Sequence, residues 1–519
     1  MQIALFDTTL RDGTQSEGLS LSVEDKIKIA RLLDGFGVRY IEGGYPGANP
    51  KDEEFFRRAS ELHLKQARLT AFGSTRRTGS TAATDANLQA LVKAGTPAVA
   101  IFGKTWLLHV TDVLKTTAED NLAMISDSVS FLKQHGLEVI FDAEHFFDGF
   151  RADRSFALAA VHAAAQAGAD WIAFCDTNGG NLPSTVAEIV REAKKVLSVP
   201  LGIHAHNDSD LAVANSLAAV ESGCTMVQGT LNGWGERCGN ANLMSVIPAL
   251  QLKMGLDCIP AQNMERLTEV SRTASEIANL RSRAHAPYVG ASAFAHKAGA
   301  HVAAVAKSPI TFEHIPPEQV GNNRRIVVSE LSGRGNIRVR AAKLGVQLRG
   351  NEADLVARIK ELENQGYQFE AADGSLELML RRTQPGYSEP FEVLDVVVIS
   401  QRRSGSSDKF VEATVKLKVG DEVSHVVAEG SGPVDAMDRA FHKALDHHFP
   451  ILRQIHLCDF KVRILDPESA TAAITRVLVE SSLGSDRWST IGVSQNIIEA
   501  SCEALKDALE LPLVRAAKA

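Results

Sequence analysis

The chain has 519 residues, 45% of them apolar and 23% charged, with a formal net charge of −8. That composition belongs to an ordinary globular protein and excludes intrinsic disorder, and the acidic balance argues against nucleic acid as a partner. At about 150 residues per domain the length sets two to four domains, each able to build a core without staples. No apolar run reaches the roughly 20 residues that span a bilayer, so no membrane association is expected. The Ala-rich stretch 155–169 comes closest and carries His162 and Gln166. The opening MQIALFDTTLRD lacks the basic-then-apolar pattern of a secretory signal. Cys175, Cys224, Cys238, Cys258, Cys458 and Cys502 lie far apart with no CxxC pair. That argues against a zinc knuckle or a disulfide framework and fits a reducing, cytoplasmic setting.

In chain order, the first half repeats one theme: a helical segment, a glycine-containing turn, then a short apolar strand. Instances are LLDGFGVRYIEGG, LVKAGTPAVAIFG, LKQHGLEVIFDAE, AAQAGADWIAFCDT and VESGCTMVQGT. Strands are expected near 3–6, 38–42, 69–72, 99–102, 138–141, 171–175, 201–204 and 226–229, with helices such as 23–36, 121–134 and 211–222 between them. Glycine at the helix end is a stop signal. Eight strands alternating with helices imply right-handed βαβ units, and their number fits a (β/α)8 TIM barrel better than an open doubly wound sheet.

Residues 260–385 change character. Helical patterns (264–282, 351–365) dominate, broken by Pro287, Pro309, Pro316 and Pro317. The arginine-rich stretch 324–349 reads as a solvated helix and loop, with phosphate binding as the sharper alternative. From about Phe391 the strands FEVLDVVVIS, KFVEATVKLKVG and EVSHVVAEG precede the helix VDAMDRAFHKAL. FKVRILD, TRVLVESS and the helix NIIEASCEALKDALE then follow as a second, similar stretch. The expected organisation is therefore a barrel over 1–262, a helical connector over 263–384, and a separate α+β domain over 385–519.

In a parallel barrel the chemistry sits at the C-terminal strand ends. DTTLRDGTQ places Asp7, Arg11 and Asp12 there, FDAEH places Asp142, Glu144 and His145, and CDTNGG places Asp176, Thr177 and Asn178. His204 and His206 are two residues apart on a strand, so both imidazoles point to one side. A carboxylate from another strand end would complete a two-His, one-carboxylate metal site; the plain reading is a hydrogen-bonded histidine pair. The loop GWGERCGNAN (233–242) reads as a tight turn or a phosphate cradle. Cys238 within it has no assigned base.

DTTLRDG (7–13), HAHND (204–208) and GERCGN (235–240) together resemble the motif set of the DRE-type metallolyase barrels. That family of metal-dependent acyltransferases and lyases includes 2-isopropylmalate synthase, homocitrate synthase, citramalate synthase and hydroxymethylglutaryl-CoA lyase. IEGGYPGANPKDEEFF (41–56), FDAEHFFDGF (141–150) and CDTNGG (175–180) resemble the citramalate synthases of that family most closely, and the C-terminal segment resembles the regulatory domain shared by the synthases. The resemblance implies a divalent metal (Mg, Mn, Zn or Co) held by Asp12, His204 and His206, with Asn240 as a fourth ligand. It also implies a catalytic arginine at Arg11, an acidic residue near the acetyl group at Glu144, and a contact to the 2-oxo acid carboxylate from Thr177. His296 matches a histidine that reaches a neighbouring subunit's barrel, with His301 as the alternate, so a homodimer is expected. Two departures stand out. The family's HND-x-G has Asp210 in place of glycine, which leaves the loop shape open. GNNRRIVVSE (321–330) lacks the tyrosine of the isopropylmalate synthases.

The implied reaction condenses acetyl-CoA with pyruvate and water to (R)-citramalate and CoA, the first step of a threonine-independent isoleucine pathway, with isoleucine as feedback effector. Arg11 would stabilise developing oxyanion charge, and Glu144 and His296 would handle protons. Phe72 and Phe102, at the ends of strands 3 and 4, would narrow the pocket or simply pack the barrel. The alternatives are a sister synthase acting on 2-oxoisovalerate or 2-oxoglutarate (Lys104 being the cation available for a distal carboxylate), an acyl-CoA lyase, or a non-catalytic scaffold. The C-terminal domain would sense a ligand or serve only for dimerisation.

Overall fold

The computed structural model describes residues 2–59, 62–329, 331–348, 350–402 and 409–516. Eight parallel strands close into a barrel in the order β1 to β8: Ala4–Asp7, Tyr40–Gly44, Arg68–Ser74, Ala98–Lys104, Glu138–Glu144, Trp171–Asp176, Leu201–Ala205 and Met226–Gly229. The seam closes where β1 pairs with β8, Ala4 opposite Met226 and Asp7 opposite Gly229. All eight expected strands are present; β3, β4 and β5 run two or three residues further than the apolar runs because their last residues are polar.

The period-2 alternation of these strands divides two apolar cores. Ala4, Phe6, Tyr40, Phe72, Ala98, Ala100, Ile140, Trp171, Ala173 and Met226 fill the inside of the barrel. Ile3, Leu5, Val99, Ile101, Val139, Phe141, Ile172, Ile203 and Val227 face outward and pack under the helices. Helix boundaries follow local chemistry. The helix Val23–Phe36 opens on a capping box, with the Ser22 and Asp25 side chains each bonding the other's backbone N–H. It stops at Gly37, whose φ of +99° a Cβ would strain.

Contacts divide the described residues into two compact units, Met1–Phe294 with Ile315–Asn323, and Ala295–His314 with Arg324–Ala519. In the second unit, β9 (Ala295–His296) pairs in parallel with β10 (Arg325–Ile326). The arginine-rich stretch forms the helix Arg334–Lys343, and Glu352–Asn364 and Asp373–Arg382 are also helical. Two three-stranded antiparallel sheets follow: β11 to β13 (Glu392–Arg402, Lys409–Val419, Glu422–Glu429) and β14 to β16 (Ile455–Ile464, Thr475–Leu483, Asp486–Ser494). The helix Pro433–Leu445 follows the first sheet, and Ile497–Ala516 the second. The repeat is thus βββα twice. The sequence pattern showed two strands in the second copy, and Asp486–Ser494 is the third.

All six cysteines are free thiols. No helix among the described residues is long and apolar enough to cross a membrane.

Candidate active site

The alternation that aims Ala4, Ala98 and Met226 into the barrel continues to the strand ends, where the inward positions become polar. A cavity of about 320 Å³ at the mouth is lined by Arg11, Asp12, Asp142, Glu144, His204 and His206 among others. Phe72 and Phe102 form one wall, their rings stacked at 5.5 Å, and Tyr45 stands edge-on to Phe72 at 5.7 Å.

His204 Nδ1 lies 2.9 Å from Gln228 Oε1, and Gln228 Nε2 donates to Asp142 Oδ1 at 2.8 Å. An amide oxygen only accepts, so the His204 proton sits on Nδ1 and the Nε2 lone pair faces the cavity. That Nε2 is 3.3 Å from His206 Nε2 and 3.9 Å from Asp12 Oδ2. The three ligand atoms lie within 4.8 Å of one another, all buried. Asn240 donates from Nδ2 to Asp12 Oδ1 at 2.6 Å, while its Oδ1 is buried without a hydrogen-bond partner. A buried carboxylate and two buried imidazoles within reach of one another form a donor set that fits a divalent ion, with Asn240 held against the carboxylate.

The electrostatics agree. Burial, then the neighbouring His204, pushes the His206 imidazole down to about 3, and burial lowers His204 too, so both are neutral and able to ligate. Burial would raise Asp12, but the Arg11 charge and the hydrogen bond from Asn240 hold its carboxyl well below the usual range. Burial and the Glu42 charge lift Asp142 to about 7.

Arg11 is clamped on three sides. Its Nε donates to Glu42 Oε2 at 2.6 Å, its Nη1 to Asp12 Oδ2 at 2.8 Å, and the guanidinium lies 3.7 Å over the Phe72 ring. Glu42 is fully buried and also accepts from Thr8 Oγ1 at 2.5 Å. Glu42 and Gln228 were not marked by the motifs. Their signal is a polar residue at an inward position of an apolar strand, in YIEGG and MVQG.

At the rim, Glu144 pairs with Lys104. Thr177 also lines the cavity, and its hydroxyl accepts from the His145 backbone at 2.9 Å. Asp7 and Asp176 do not line the cavity as the sequence placed them. Asp7 caps its own turn through Thr9, and Asp176 is buried against Asn181 and Asn215. The glycine-rich loop turns at 236–239, where the Gly239 N–H donates to the Glu236 carbonyl at 2.9 Å. Gly235 has a φ of +151°, and a Cβ there would stand 2.0 Å from Asn240 Nδ2 and 2.9 Å from Asp12 Oδ1, so the bare backbone lets these two side chains meet. Cys238 is exposed on that loop. Asp210, where the motif has glycine, takes the left-handed conformation at φ +57°, which Asp tolerates, and accepts from Asn207 Nδ2 at 3.1 Å.

His296 belongs to the second unit, where its Nε2 lies 3.0 Å from Glu313 Oε1, and Glu313 also binds Arg324 through both oxygens. His301 stacks on Phe312 at 3.9 Å.

A closed (β/α)8 barrel with this donor set at its mouth defines a class of divalent-metal enzymes, and the HMGL-like family matches residues 2–274. The homocitrate synthase post-HMGL domain-like family matches 288–367, and the LeuA allosteric (dimerisation) domain matches 370–513. The chain belongs to the family of the (R)-citramalate synthases. It is 52% identical to the Synechocystis enzyme of that name over 98% of this chain and 96% of the relative, and 49% identical to that of Aquifex aeolicus over 99% and 98%. The 2-isopropylmalate synthase of Methanocaldococcus jannaschii is 31% identical over 100% of this chain and 96% of its own.

Proposed function

We propose that this chain condenses acetyl-CoA with pyruvate and water, giving (R)-citramalate and CoA. The observation that carries the reading is the mouth of the barrel, where Asp12, His204 and His206 converge beside a clamped arginine, with Asn240 bonded to Asp12. Those four residues would hold the divalent ion, which supplies Lewis acidity to a carbonyl when bound. Arg11 is fixed by Glu42, Asp12 and Phe72 before substrate arrives, so its charge stabilises a developing oxyanion without reorganisation. Thr177 binds the pyruvate carboxylate, and the Phe72–Phe102 wall limits the substituent on the 2-oxo acid. Glu144 and His296 move the protons that enolise the acetyl methyl and protonate the leaving thiolate. His296 serves the barrel of a second copy in a homodimer.

The segment 385–519 binds isoleucine as a feedback effector in a cytoplasmic pathway. The match to an allosteric (dimerisation) domain and its lack of barrel motifs support this reading. Isoleucine should then change the rate or apparent affinity several-fold, as couplings of about 1–3 kcal/mol do, and deletion after Pro385 should remove the response. Calorimetry without isoleucine binding, together with unaltered kinetics, leaves the domain a dimer-forming role.

The deciding assay follows CoA release from acetyl-CoA across a panel of 2-oxo acids. Pyruvate should give the highest kcat/KM. A clear preference for 2-oxoisovalerate moves the chain to isopropylmalate synthesis, and no release with any 2-oxo acid refutes the acyltransferase.

A further inference from the structure

A cleft of about 660 Å³ in the second unit has a charge balance that its own residues do not complete. Four cations line it, Lys297, Lys360, Arg463 and Arg476, against two carboxylates, Glu363 and Glu370. Lys297 pairs with Glu370 at 3.1 Å. Arg463 and Arg476 stand directly opposite each other on β14 and β15, so both side chains leave the same face of the sheet. Like charges in directly opposed positions destabilise a sheet. Among the described residues no carboxylate lies within ion-pair distance of Arg463, Arg476 or Lys360, and Glu363 attracts Arg476 only from farther off. Arg476 is instead held by neutral acceptors, Nε donating to the Gly366 carbonyl at 2.5 Å and Nη1 to Gln368 Oε1 at 2.8 Å. Burial, then the Arg463 charge, lowers its affinity for its own proton. The chain is shaped to make that clamp. Gly366 has a φ of +111°, and a Cβ there would stand 2.3 Å from Leu465 Cδ1, so a glycine brings the loop down onto β14.

We infer that this cleft is a binding site for a phosphate-bearing small molecule, gripped by Arg463, Arg476 and Lys360. Arg463, Lys360 and the Arg476 donors not held by Gly366 and Gln368 can donate to phosphate oxygens, and a phosphate dianion adds negative charge beside the opposed arginines. The volume lies within the range of small-molecule sites. The walls come from the helix Glu352–Asn364 and its following loop on one side and from β14 and β15 on the other. An occupant therefore ties the connector helices to the second βββα repeat and acts as a regulator rather than a substrate.

The test uses calorimetry on the full-length protein, stripped of metal so that nucleotide–metal complexes give no signal, with ADP and inorganic phosphate as probes. Wild type should bind ADP, more weakly as salt rises. Arg463→Glu should lose at least about tenfold in that affinity, as expected when a charged partner of phosphate is reversed. The same variant should melt no lower than wild type, since it turns a repulsive cross-strand pair into an attractive one. Binding of phosphate but not ADP would make the ligand a free anion and overturn the assignment to a phosphate-bearing small molecule. Equal ADP affinity in wild type and Arg463→Glu, or none in either, refutes the site. Steady-state kinetics separate the remaining source of phosphate, the CoA substrate. Arg463→Glu should leave kcat and the KM for acetyl-CoA unchanged, and a raised KM overturns the regulatory role.

Discussion

Gln228→Met tests how the barrel interior prepares the candidate metal site. Gln228 is fully buried and joins His204 Nδ1 at 2.9 Å to Asp142 Oδ1 at 2.8 Å. Methionine keeps the length and bulk of the side chain but neither accepts from His204 nor donates to Asp142. Two hydrogen bonds worth about 1 kcal/mol each are lost and two buried partners are stranded, so the fold should lose roughly 2–5 kcal/mol. The larger consequence is chemical. Without an acceptor at Nδ1 the imidazole proton is free to occupy Nε2, the atom that faces Asp12 and His206, and metal affinity should fall about 10–100-fold. Cobalt titration followed by its absorption bands reads that affinity, and nitrogen NMR of metal-free protein reads the tautomer directly. Gln228→Glu, which still accepts from His204, should recover most of the affinity. A folded Gln228→Met variant with unchanged cobalt affinity and an unchanged Nδ1-protonated tautomer refutes the reasoning.

His204→Ala and His206→Ala should each abolish CoA release while leaving circular dichroism unchanged, because the strand does not need the imidazoles; retained activity in both removes them from the site. Burial raises Asp7 from about 3.9 in an unfolded chain to about 7, so the folded chain keeps a proton that the unfolded chain releases, and stability declines as pH rises from about 4 to about 7. In urea melts Asp7→Asn should therefore gain on wild type across that window, and a stability difference independent of pH contradicts the assignment. Phe102→Ala widens the aromatic wall, and the ratio of kcat/KM for 2-oxoisovalerate over pyruvate should rise about 10–200-fold. An equal loss for both substrates excludes Phe102 from substrate choice.

The barrel was legible because each strand ends in a helix-stop glycine at one side and polar residues at the other, and the strand count followed from that repetition. The residues of the candidate metal site were legible from motifs at three different strand ends. Glu42 and Gln228 were not, because each sits one step inside an apolar strand, where a composition reading sees only the strand. Parity exposes them, since Tyr40 and Met226 point into the barrel and the residue two further on must do the same. The strand Asp486–Ser494 escaped for another reason. Its alternation is interrupted by Gly492, whose missing Cβ lets the Ala500 carbonyl approach to within 2.0 Å of where it would be, a tertiary contact that no local pattern records. The helix Ile497–Ala516 likewise runs past Pro512, where the periodicity reading stopped at Glu510.

The hydrogen bond from Asn240 to Asp12 joins residues 228 positions apart across the seam where β8 meets β1. Asp12 follows the first strand of the barrel, His204 and His206 stand at the end of the seventh, and Asn240 follows the eighth. No partial barrel contains the donor set, so a nascent or truncated chain that has not closed its ring has nothing with which to capture an ion. Pairing of such distant segments is intrinsically slow. Ligation across that seam would act as a latch, and an occupied site should slow unfolding by holding the two ends of the sheet together.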